Sequence, residues 1–380
     1  MPKAERQLRI LTSNRLEVLV EALAEDLRQA PLPPFASETI IIQSPGMRRW
    51  LTLELARRLG CAASLSTPFP SRFCADLAQR LVGGAPQAGE PFARDSLAWR
   101  LFARLSQPLT GPDLAPLASY LRRDDQMRRW QLAQRIADRF DEYQLYRGEL
   151  LRGWEAGQTA MGEHAAWQAT LWRELVNSTP QPHLARRLHD AIHRLETMDS
   201  EPPGLPARLT AFAVGSLPPV FLDLLRALAR HRPVTIHLLA PTPHFWSDLR
   251  SPREQRRNTE PSPIGNALLA GFARQGRELA TLLQQRDDTG QAWEELAFSD
   301  PGTDSALHVL QHDLFDVLER GTDEIVPKAG TEILRGDRLI TGENGYASIS
   351  MRRAASLSVG ANSAVPLDRY AADAAPVVSK

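Results

Sequence analysis

The segment that most constrains the fold of this chain, residues 38–60, is predicted to form a buried strand, a tight turn and an amphipathic helix. Thr39–Ile42 is β-branched, which is typical of a strand buried in a parallel sheet. In the turn Gln43–Gly46, Ser44 can cap the helix and Pro45 suits its first turn. Because ligands of open α/β sheets bind beyond the carboxyl ends of the strands, we expect this turn to border a binding site.

The flanking residues repeat the same alternation of strand and helix. A strand is predicted at Leu8–Thr12, followed by a helix that Asn14 and Glu17 begin as a capping box. Another strand is predicted at Ala63–Ser66, and a helix that carries Phe73 follows it. Strands joined through a helix form a parallel pair with a right-handed crossover, so the N-terminal part is predicted to be α/β.

A linker rich in Gly, Pro and Ala at residues 84–93 precedes a region in which the apolar spacing is helical throughout. Helices are predicted there at residues 97–105, 114–121, 125–146, 164–177 and 184–195. The longest carries an apolar and aromatic stripe made of Met127, Trp130, Ala133, Ala137, Phe140 and Tyr143. Such a stripe indicates the core of a helical bundle more often than a cofactor site.

The strand pattern returns after residue 200. Strands are predicted at residues 209–214 and 234–239, helices at 219–229, 264–284 and 306–318, and a mobile loop at 251–263. We therefore predict an α/β protein whose parallel sheet is interrupted by an all-helical insertion. The sheet domain begins in residues 1–88, the insertion occupies 89–200, the sheet resumes in 201–320, and 321–380 form a poorly ordered tail.

Composition limits the function classes. The chain has 45 basic and 45 acidic side chains, so any DNA contact must come from a local groove rather than from bulk charge. No apolar run approaches the length of a membrane span, and the N-terminus lacks a secretory apolar region. Cys61 and Cys74 are predicted to be small buried side chains in a reducing compartment. We therefore expect a cytoplasmic protein without a membrane partner.

A parallel sheet with a helical insertion suggests a P-loop helicase motor, but the residues that bind ATP in such a motor are missing. A phosphate loop ends in Lys-Ser or Lys-Thr, whereas the first strand here is followed by Ser13-Asn14-Arg15. No carboxylate stands in Gly215–Pro219, after a later strand, to hold magnesium. We therefore expect no ATP hydrolysis by this chain.

Two further patterns have ordinary interpretations beside functional ones. The motif at residues 189–193 places two imidazoles on one helix face as in a zinc protease, but its catalytic Glu is replaced, which favours a solvated helix surface. Asp138, Asp141 and Glu142 cluster as in a metal-dependent nuclease. The neighbouring Arg135, Arg139 and Arg147 are nevertheless typical of a salt-bridged helix face.

Long and unusual segments, among them IIIQSPGMRRWL (40–51), resemble the N-terminal part of the RecC family, the gamma chains of exodeoxyribonuclease V. The other similar segments occur in family order at residues 11–19, 68–77, 135–147, 165–175, 202–228, 236–249 and 264–279. The resemblance implies the superfamily 1 helicase fold with a degenerate ATP site and with no catalytic residue or cofactor. It also implies a heterotrimer with a RecB-like helicase–nuclease and a RecD-like helicase, which use ATP and Mg²⁺.

The resemblance further implies a role in double-strand break repair by homologous recombination, in which the chain guides unwound single-stranded DNA and scans it for the recombination hotspot. It places nucleic-acid contacts in the turn after the second strand, at the start of the next helix and on the long helix. The residues at these positions are Gln43, Ser44, Gly46, Met47, Phe69, Pro70, Ser71, Phe73, Asp138, Asp141 and Arg147. Amides, hydroxyls and guanidiniums can hydrogen-bond bases or phosphate, and aromatic rings can stack on bases.

The same residues also have structural interpretations. Gln43 and Ser44 can form the turn and the helix cap, Phe69 can pack, and the acids can form surface ion pairs. Ala75 and Arg139 depart from the residues of some family members, which leaves hotspot reading open. Family chains are far longer, so we expect a truncated, split or frame-shifted gene product. A protein-interaction scaffold without DNA binding and an active helicase NTPase are the alternative functions.

Overall fold

The computed structural model describes most of the chain up to residue 315 and five short strands beyond it. The described residues are 8–33, 35–83, 89–122, 125–158, 162, 164–198, 200, 202–243, 246, 249–250, 254, 266–284, 292–315, 338–340, 347–350, 356–359, 364–366 and 377–379. The chain forms two compact units: residues 1–12, 16–239 and 282–296, and residues 13–15, 240–281 and 297–380. Part of the predicted linker and most of the predicted loop at 251–263 lie outside the described residues.

Six strands form an open parallel sheet, which confirms the predicted α/β class. The strands are β1 (Leu8–Ser13), β2 (Glu38–Ile41), β3 (Leu65–Ser66), β4 (Leu209–Phe212), β5 (Val234–Leu239) and β6 (Ala292–Glu295). Their order is β3–β2–β4–β5–β1–β6, and Ile41 of β2 is aligned with Ala211 of β4. The turns that follow β2 and β4 therefore lie side by side at the same end of the sheet.

The helices follow the sequence patterns with a few differences. They are α1 (Leu16–Gln29), α2 (Pro45–Leu59), α3 (Pro70–Val82), α4 (Arg94–Leu105), α5 (Ala115–Tyr120), α6 (Gln126–Tyr146), α7 (Gly148–Glu155), α8 (Ala165–Asn177), α9 (Leu184–Thr197), α10 (Pro219–Ala229), α11 (Ala267–Phe272), α12 (Arg274–Gln284) and α13 (Ala306–Phe315). The helix predicted at residues 264–284 is instead two helices that meet at Ala273. Neither α7 nor β6 was predicted.

The helices α1 and α2 pack on the sheet through the apolar faces that their residue spacing predicts. The buried cluster contains Leu19, Val20, Leu23, Ala24, Ile40, Ile42, Leu51, Leu55 and Phe212. Met47, Trp50 and Leu59 pack against this cluster from partly buried positions. Because a buried leucine side chain contributes about 2 kcal/mol, this face fixes α2 and the turn before it.

Six consecutive helices, α4 to α9, enclose a second core that is rich in aromatic rings. Trp172 lies between Phe92 and Phe140, with ring centroids 5.6 and 5.2 Å away. As predicted, the described residues of this region contain no strand. Met127 was expected in the core but is 63% exposed, because the buried face of α6 begins only at Ala133.

The second unit has its own small apolar cluster around α11 and α12. Its buried members are Trp246, Leu249, Leu269, Ala270 and Ala280. Arg277 forms an ion pair with Glu254 at 2.9 Å and donates to the carbonyl oxygen of Leu249. Arg277 thus links α12 to Leu249 and Glu254.

Short strands pair near the C-terminus. They are β7 (Arg338–Ile340), β8 (Ala347–Ser350), β9 (Ser356–Val359), β10 (Ala364–Pro366) and β11 (Val377–Ser379). β7 pairs with β10, and β8 pairs with both β9 and β11, all antiparallel. The poor order expected for residues 321–380 as a whole stays a prediction.

Two local predictions are wrong. Asn14 does not cap α1, because its side-chain amide donates to the Ser299 carbonyl at 2.8 Å and accepts from the Ser299 amide at 3.1 Å. Cys61 is exposed just after the end of α2, whereas Cys74 lies on the buried face of α3, where burial raises the pKa of its thiol. Within the described residues, no helix combines the length and the hydropathy that a membrane span requires.

Candidate nucleic-acid interface

The turn after β2 is built by helix capping. Ser44 has extended backbone angles, φ −148° and ψ 154°, and its Oγ accepts a hydrogen bond from the Met47 amide at 3.1 Å. Pro45 occupies the first turn of α2, where a backbone N–H is not needed. Gln43, Ser44 and Gly46 are exposed, and Met47 is half-buried. The predicted cap is confirmed, and the turn presents its polar side chains to solvent.

The Gln43 carboxamide joins this turn to the loop after β4. Its Nε2 donates to the Ser216 carbonyl oxygen at 2.7 Å, and its Oε1 accepts from the Gly215 amide at 3.0 Å. A backbone carbonyl can only accept and a backbone amide can only donate, so the two partners fix the orientation of the carboxamide. The two loops therefore form one connected surface beyond β2 and β4.

The segment before α3 lies beside the turn, since the Ile42 amide donates to the Pro68 carbonyl at 3.2 Å. Phe69 is 36% exposed, Pro70 is half-buried, and Ser71 is exposed. Phe73 is only 4% exposed and belongs to the buried face of α3. A ligand can therefore reach the first three side chains, whereas Phe73 anchors the helix.

Arg48 is an interface residue that was not predicted. Its guanidinium lies 6.0 Å from the centroid of the Phe69 ring, and its Nη2 donates to the Thr67 carbonyl at 2.9 Å. Arg48 thus ties α2 to the segment before α3 and places positive charge beside an exposed ring. Arg49 is also exposed. The available signal was a pair of arginines near the start of a helix, where the helix dipole disfavours cations.

The acidic residues of α6 lie among arginines. Asp138 accepts from the Arg94 Nε at 2.7 Å, and Arg139 pairs with Glu142 at 2.6 Å. Asp141 makes no hydrogen bond or ion pair in the part of the chain that the structure describes. Burial raises the pKa of Asp141, and the Asp138 charge raises it further. The predicted ion-paired face is confirmed, with Asp141 as the carboxylate left without a partner there.

Arg147 lies at the junction of α6 and α7 and is exposed. Its backbone serves both helices: its amide donates to the Tyr143 carbonyl at 2.8 Å, and its carbonyl accepts from the Leu151 amide at 3.2 Å. No hydrogen bond or ion pair among the described residues links the predicted α6 contacts with Gln43 or Phe69. The structure thus joins the turn after β2 to the start of α3, and the α6 residues form a separate group.

A cavity of about 720 Å³ lies between the end of α6 and the helices α7, α9 and α10. None of the predicted contact residues lines it. His189 and Arg152 do, and burial followed by the Arg152 charge lowers the pKa of His189. The described side chains include no cluster of His, Cys, Asp or Glu that could hold a metal ion. The zinc interpretation of residues 189–193 therefore has no support there.

The loops that would hold ATP in a P-loop motor have other contacts here. After β1, the Ser13 Oγ donates to the Ala297 carbonyl at 2.8 Å and accepts from the Arg15 amide at 3.1 Å. After β4, the loop is bonded to Gln43. The sequence of neither loop contains lysine, aspartate or glutamate.

The fold and this surface define an open parallel α/β protein with a candidate polar interface at the carboxyl end of its strands. A family model described as the RecC N-terminal domain matches residues 8–317. The chain therefore belongs to the RecC N-terminal domain family.

Curated relatives agree with this membership. The RecBCD enzyme subunit RecC of Escherichia coli (strain K12) is 34% identical over 354 residues, which cover 82% of this chain and 31% of the relative. The RecC subunit of Haemophilus influenzae is 27% identical over 364 residues, which cover 79% of this chain and 32% of the relative. The RecC subunit of Mycolicibacterium smegmatis is 30% identical over 295 residues, which cover 74% of this chain and 26% of the relative. The chain thus spans about a third or less of the length of these relatives.

Proposed function

We propose that this chain is part of a DNA-binding, catalytically inert subunit of an ATP-dependent exodeoxyribonuclease–helicase complex in double-strand break repair by homologous recombination. The names of its relatives, RecC subunits of RecBCD enzymes, support this proposal. In it, the sheet is a superfamily 1 motor domain with a degenerate ATP site, and α4 to α9 are its helical insertion. The partners are a RecB-like helicase–nuclease and a RecD-like helicase, which use ATP and Mg²⁺.

One surface carries the DNA-binding part of the proposal, and we call it the sheet-end surface. It comprises Gln43, Ser44, Gly46, Met47, Arg48, Phe69, Pro70 and Ser71. It combines an amide and hydroxyls with an exposed ring and a guanidinium. Proteins that bind single-stranded nucleic acid use this combination, because arginine binds phosphate and aromatic rings stack on bases. The sheet-end surface therefore suits one unwound strand.

We further propose that Asp138, Asp141 and Arg147 contact the same strand and scan it for the hotspot. Asp141 is half-buried and without a partner among the described residues, so a base amino group can bind it without displacing another donor. Arg147 is exposed and can bind phosphate or guanine. Asp138 would have to share its carboxylate with Arg94.

Replacing Arg48 with Ala tests the sheet-end surface. We expect the Kd for a fluorescent oligothymidine to rise by about tenfold or more, since a hydrogen bond to a charged group contributes about 1.5–3 kcal/mol and 1.4 kcal/mol is tenfold. Arg57→Ala is the matched control, because Arg57 lies on the same helix with its side chain 72% exposed. Equal effects of the two variants, or no effect of either, would contradict the proposal.

A protein-interaction scaffold without DNA binding is a second candidate, and one exposed patch favours it. Trp99 is 63% exposed and its ring is tilted by 40° against that of Trp130, with ring centroids 4.5 Å apart. Met127 is also 63% exposed. Exposed aromatic and methionine side chains mark protein interfaces. On the scaffold reading, Trp99→Ser abolishes co-purification with a RecB-like partner, and the unaltered chain does not bind oligothymidine even at low salt.

A further inference from the structure

We infer that the loop after β4, residues 213–217, is a second wall of the single-strand site, and that Gln43 is the positioning residue that holds it there. This inference rests on the proposed function, because it extends the sheet-end surface. No residue of the loop was among the predicted contacts. The sequence had singled the loop out only because it lacks a magnesium-binding acid.

The loop is held at both of its ends. At its start, the Ala213 amide donates to the His237 carbonyl of β5 at 2.8 Å. Further along, Gln43 binds the Gly215 amide and the Ser216 carbonyl at 3.0 and 2.7 Å. These bonds leave the loop little freedom to move away from the turn after β2.

Backbone strain in the loop points to a purpose for this arrangement. Ala213 has φ 48°, a left-handed conformation that costs an alanine roughly 1–2 kcal/mol. Residues in such conformations persist only where the surrounding contacts hold them, and they are concentrated at ligand-binding loops. The hydrogen bonds of Ala213 and Gln43 are contacts of this kind.

Gln43 itself stays available to a ligand. A carboxamide has two N–H donors and two acceptor lone pairs, and the tether uses one of each. Gln43 is exposed, so the remaining N–H and lone pair are accessible, and the tether fixes their orientation. The tether therefore orders Gln43 and the loop together.

The chemistry of the loop fits a sugar–phosphate chain. Gly215 is exposed and lacks a side chain, so a phosphate can approach its backbone closely. Ser216 adds a hydroxyl, and residues 213–218 contain no acid that would repel phosphate. Arg48 and Arg49 of α2 supply positive charge beyond the adjoining turn. Single-stranded DNA is therefore the occupant that this charge distribution favours.

Hydrogen exchange of the chain without DNA tests the positioning role. Gln43→Ala is expected to speed amide exchange at residues 214–217 by about tenfold, the equivalent of one lost hydrogen bond. Gln43→Glu keeps the acceptor for the Gly215 amide, so exchange at that amide should stay slow. Gln131→Ala, at an exposed position of α6, is the control and should change nothing in this loop. Unchanged exchange in Gln43→Ala would overturn the positioning role.

Hydrogen exchange with oligothymidine tests the second wall. DNA is expected to slow exchange at residues 213–217 and at the turn after β2 together. If binding occurs but slows exchange only in the turn, the second wall is overturned and the proposed function stands. If the chain does not bind DNA at all, both are overturned.

A substitution at Gly215 separates contact from positioning. A Cβ there would lie 3.7 Å from the Gln43 Oε1, an ordinary contact distance, so Gly215→Ala leaves the tether in place. We expect this variant to keep slow exchange in the loop while its Kd for oligothymidine rises severalfold. An unchanged Kd would contradict contact between DNA and the loop.

Discussion

Buried polar side chains differ in their hydrogen-bond partners between the helical region, α4 to α9, and the sheet with its helices. In the helical region the Glu155 carboxylate accepts from the Trp172 indole at 2.9 Å and lies 2.8 Å from the His183 Nε2. In the sheet, His237 is fully buried and neither of its ring nitrogens has a hydrogen-bond partner among the described residues. In the helical core, side-chain hydrogen bonds join the helices, although the buried Trp154 Nε1 has no partner among the described residues. In the sheet, strand pairing and apolar packing predominate.

Two glutamines show the same contrast. Gln144 is 2% exposed, donates to the Phe92 carbonyl and accepts from the Leu184 amide, each at 3.0 Å. Gln43 makes an equivalent pair of backbone hydrogen bonds at the surface. A glutamine side chain with two backbone hydrogen bonds therefore stabilises the helical core in one region and orders two loops at a strand end in the other. Location at the strand end, rather than residue type, makes Gln43 a candidate for function.

The largest expected effect is on the buried glutamine. Replacing Gln144 with Leu leaves the buried Phe92 carbonyl and the part-buried Leu184 amide without this partner. Each costs about 1–3 kcal/mol, so the free energy of unfolding should fall by roughly 3 kcal/mol. Gln43→Ala should lower it by less than about 1 kcal/mol, because water replaces the lost bonds at the surface. Urea denaturation of both variants measures the difference. Equal losses of unfolding free energy would contradict the claim that the buried glutamine contributes more to stability than the exposed one.

A second prediction concerns the unpartnered histidine of the sheet. Burial, followed by the Arg9 charge, lowers the pKa of His237 from 6.5 to about 3. The unfolded chain therefore binds a proton below pH 6.5 that the folded chain does not bind. The contribution of His237 to stability is complete above pH 6.5 and falls toward pH 3 by up to about 1.4 kcal/mol per pH unit.

Replacing His237 with Leu should remove this part of the pH dependence. Free energies of unfolding from urea denaturation between pH 7.5 and 5 would then fall less steeply than those of the unaltered chain, by about 1 kcal/mol per pH unit. His193→Asn, at an exposed position, serves as the control and should leave the slope unchanged. An equal slope in the Leu variant would show that His237 takes up its proton over the same pH range in the folded and unfolded protein, and would contradict the lowered pKa.

The smallest expected effect distinguishes the two aspartates of α6. The pKa of Asp141 is raised by burial and by Asp138, so its charge is disfavoured in the folded state. Asp141→Asn should therefore increase the free energy of unfolding at neutral pH by about 0.3 kcal/mol. Asp138→Asn weakens the ion pair with Arg94 and should decrease it slightly. Thermal denaturation with changes of the same sign would contradict this assignment.

The buried elements of the fold could be predicted closely from the sequence. β5 and α10 begin and end where they were predicted, because a run rich in β-branched and apolar residues marks the strand and Pro219 marks the start of the helix. β6 could not be predicted, since all four of its residues are exposed and show no apolar period. α7 follows α6 directly, with Arg147 as the cap of both helices, so no turn signal separated them.

The interface could be predicted only where its contacts are between residues close together in the sequence. The turn could be predicted because Ser44 and Pro45 act on the helix that follows them. The partners of Gln43 lie 172 and 173 residues away, and only the strand order brings them together. Arg48 was overlooked because an arginine in an amphipathic helix is ordinarily a surface residue.

The most direct test of the account is the binding of single-stranded DNA by this chain, titrated against salt with and without ATP and Mg²⁺. Release of counterions from phosphate makes such binding weaker as salt increases. We expect salt-dependent binding with a Kd that ATP and Mg²⁺ leave unchanged. A Kd that shifts with ATP and Mg²⁺ would contradict the inert-motor assignment, and no binding even at low salt would contradict the DNA-binding assignment.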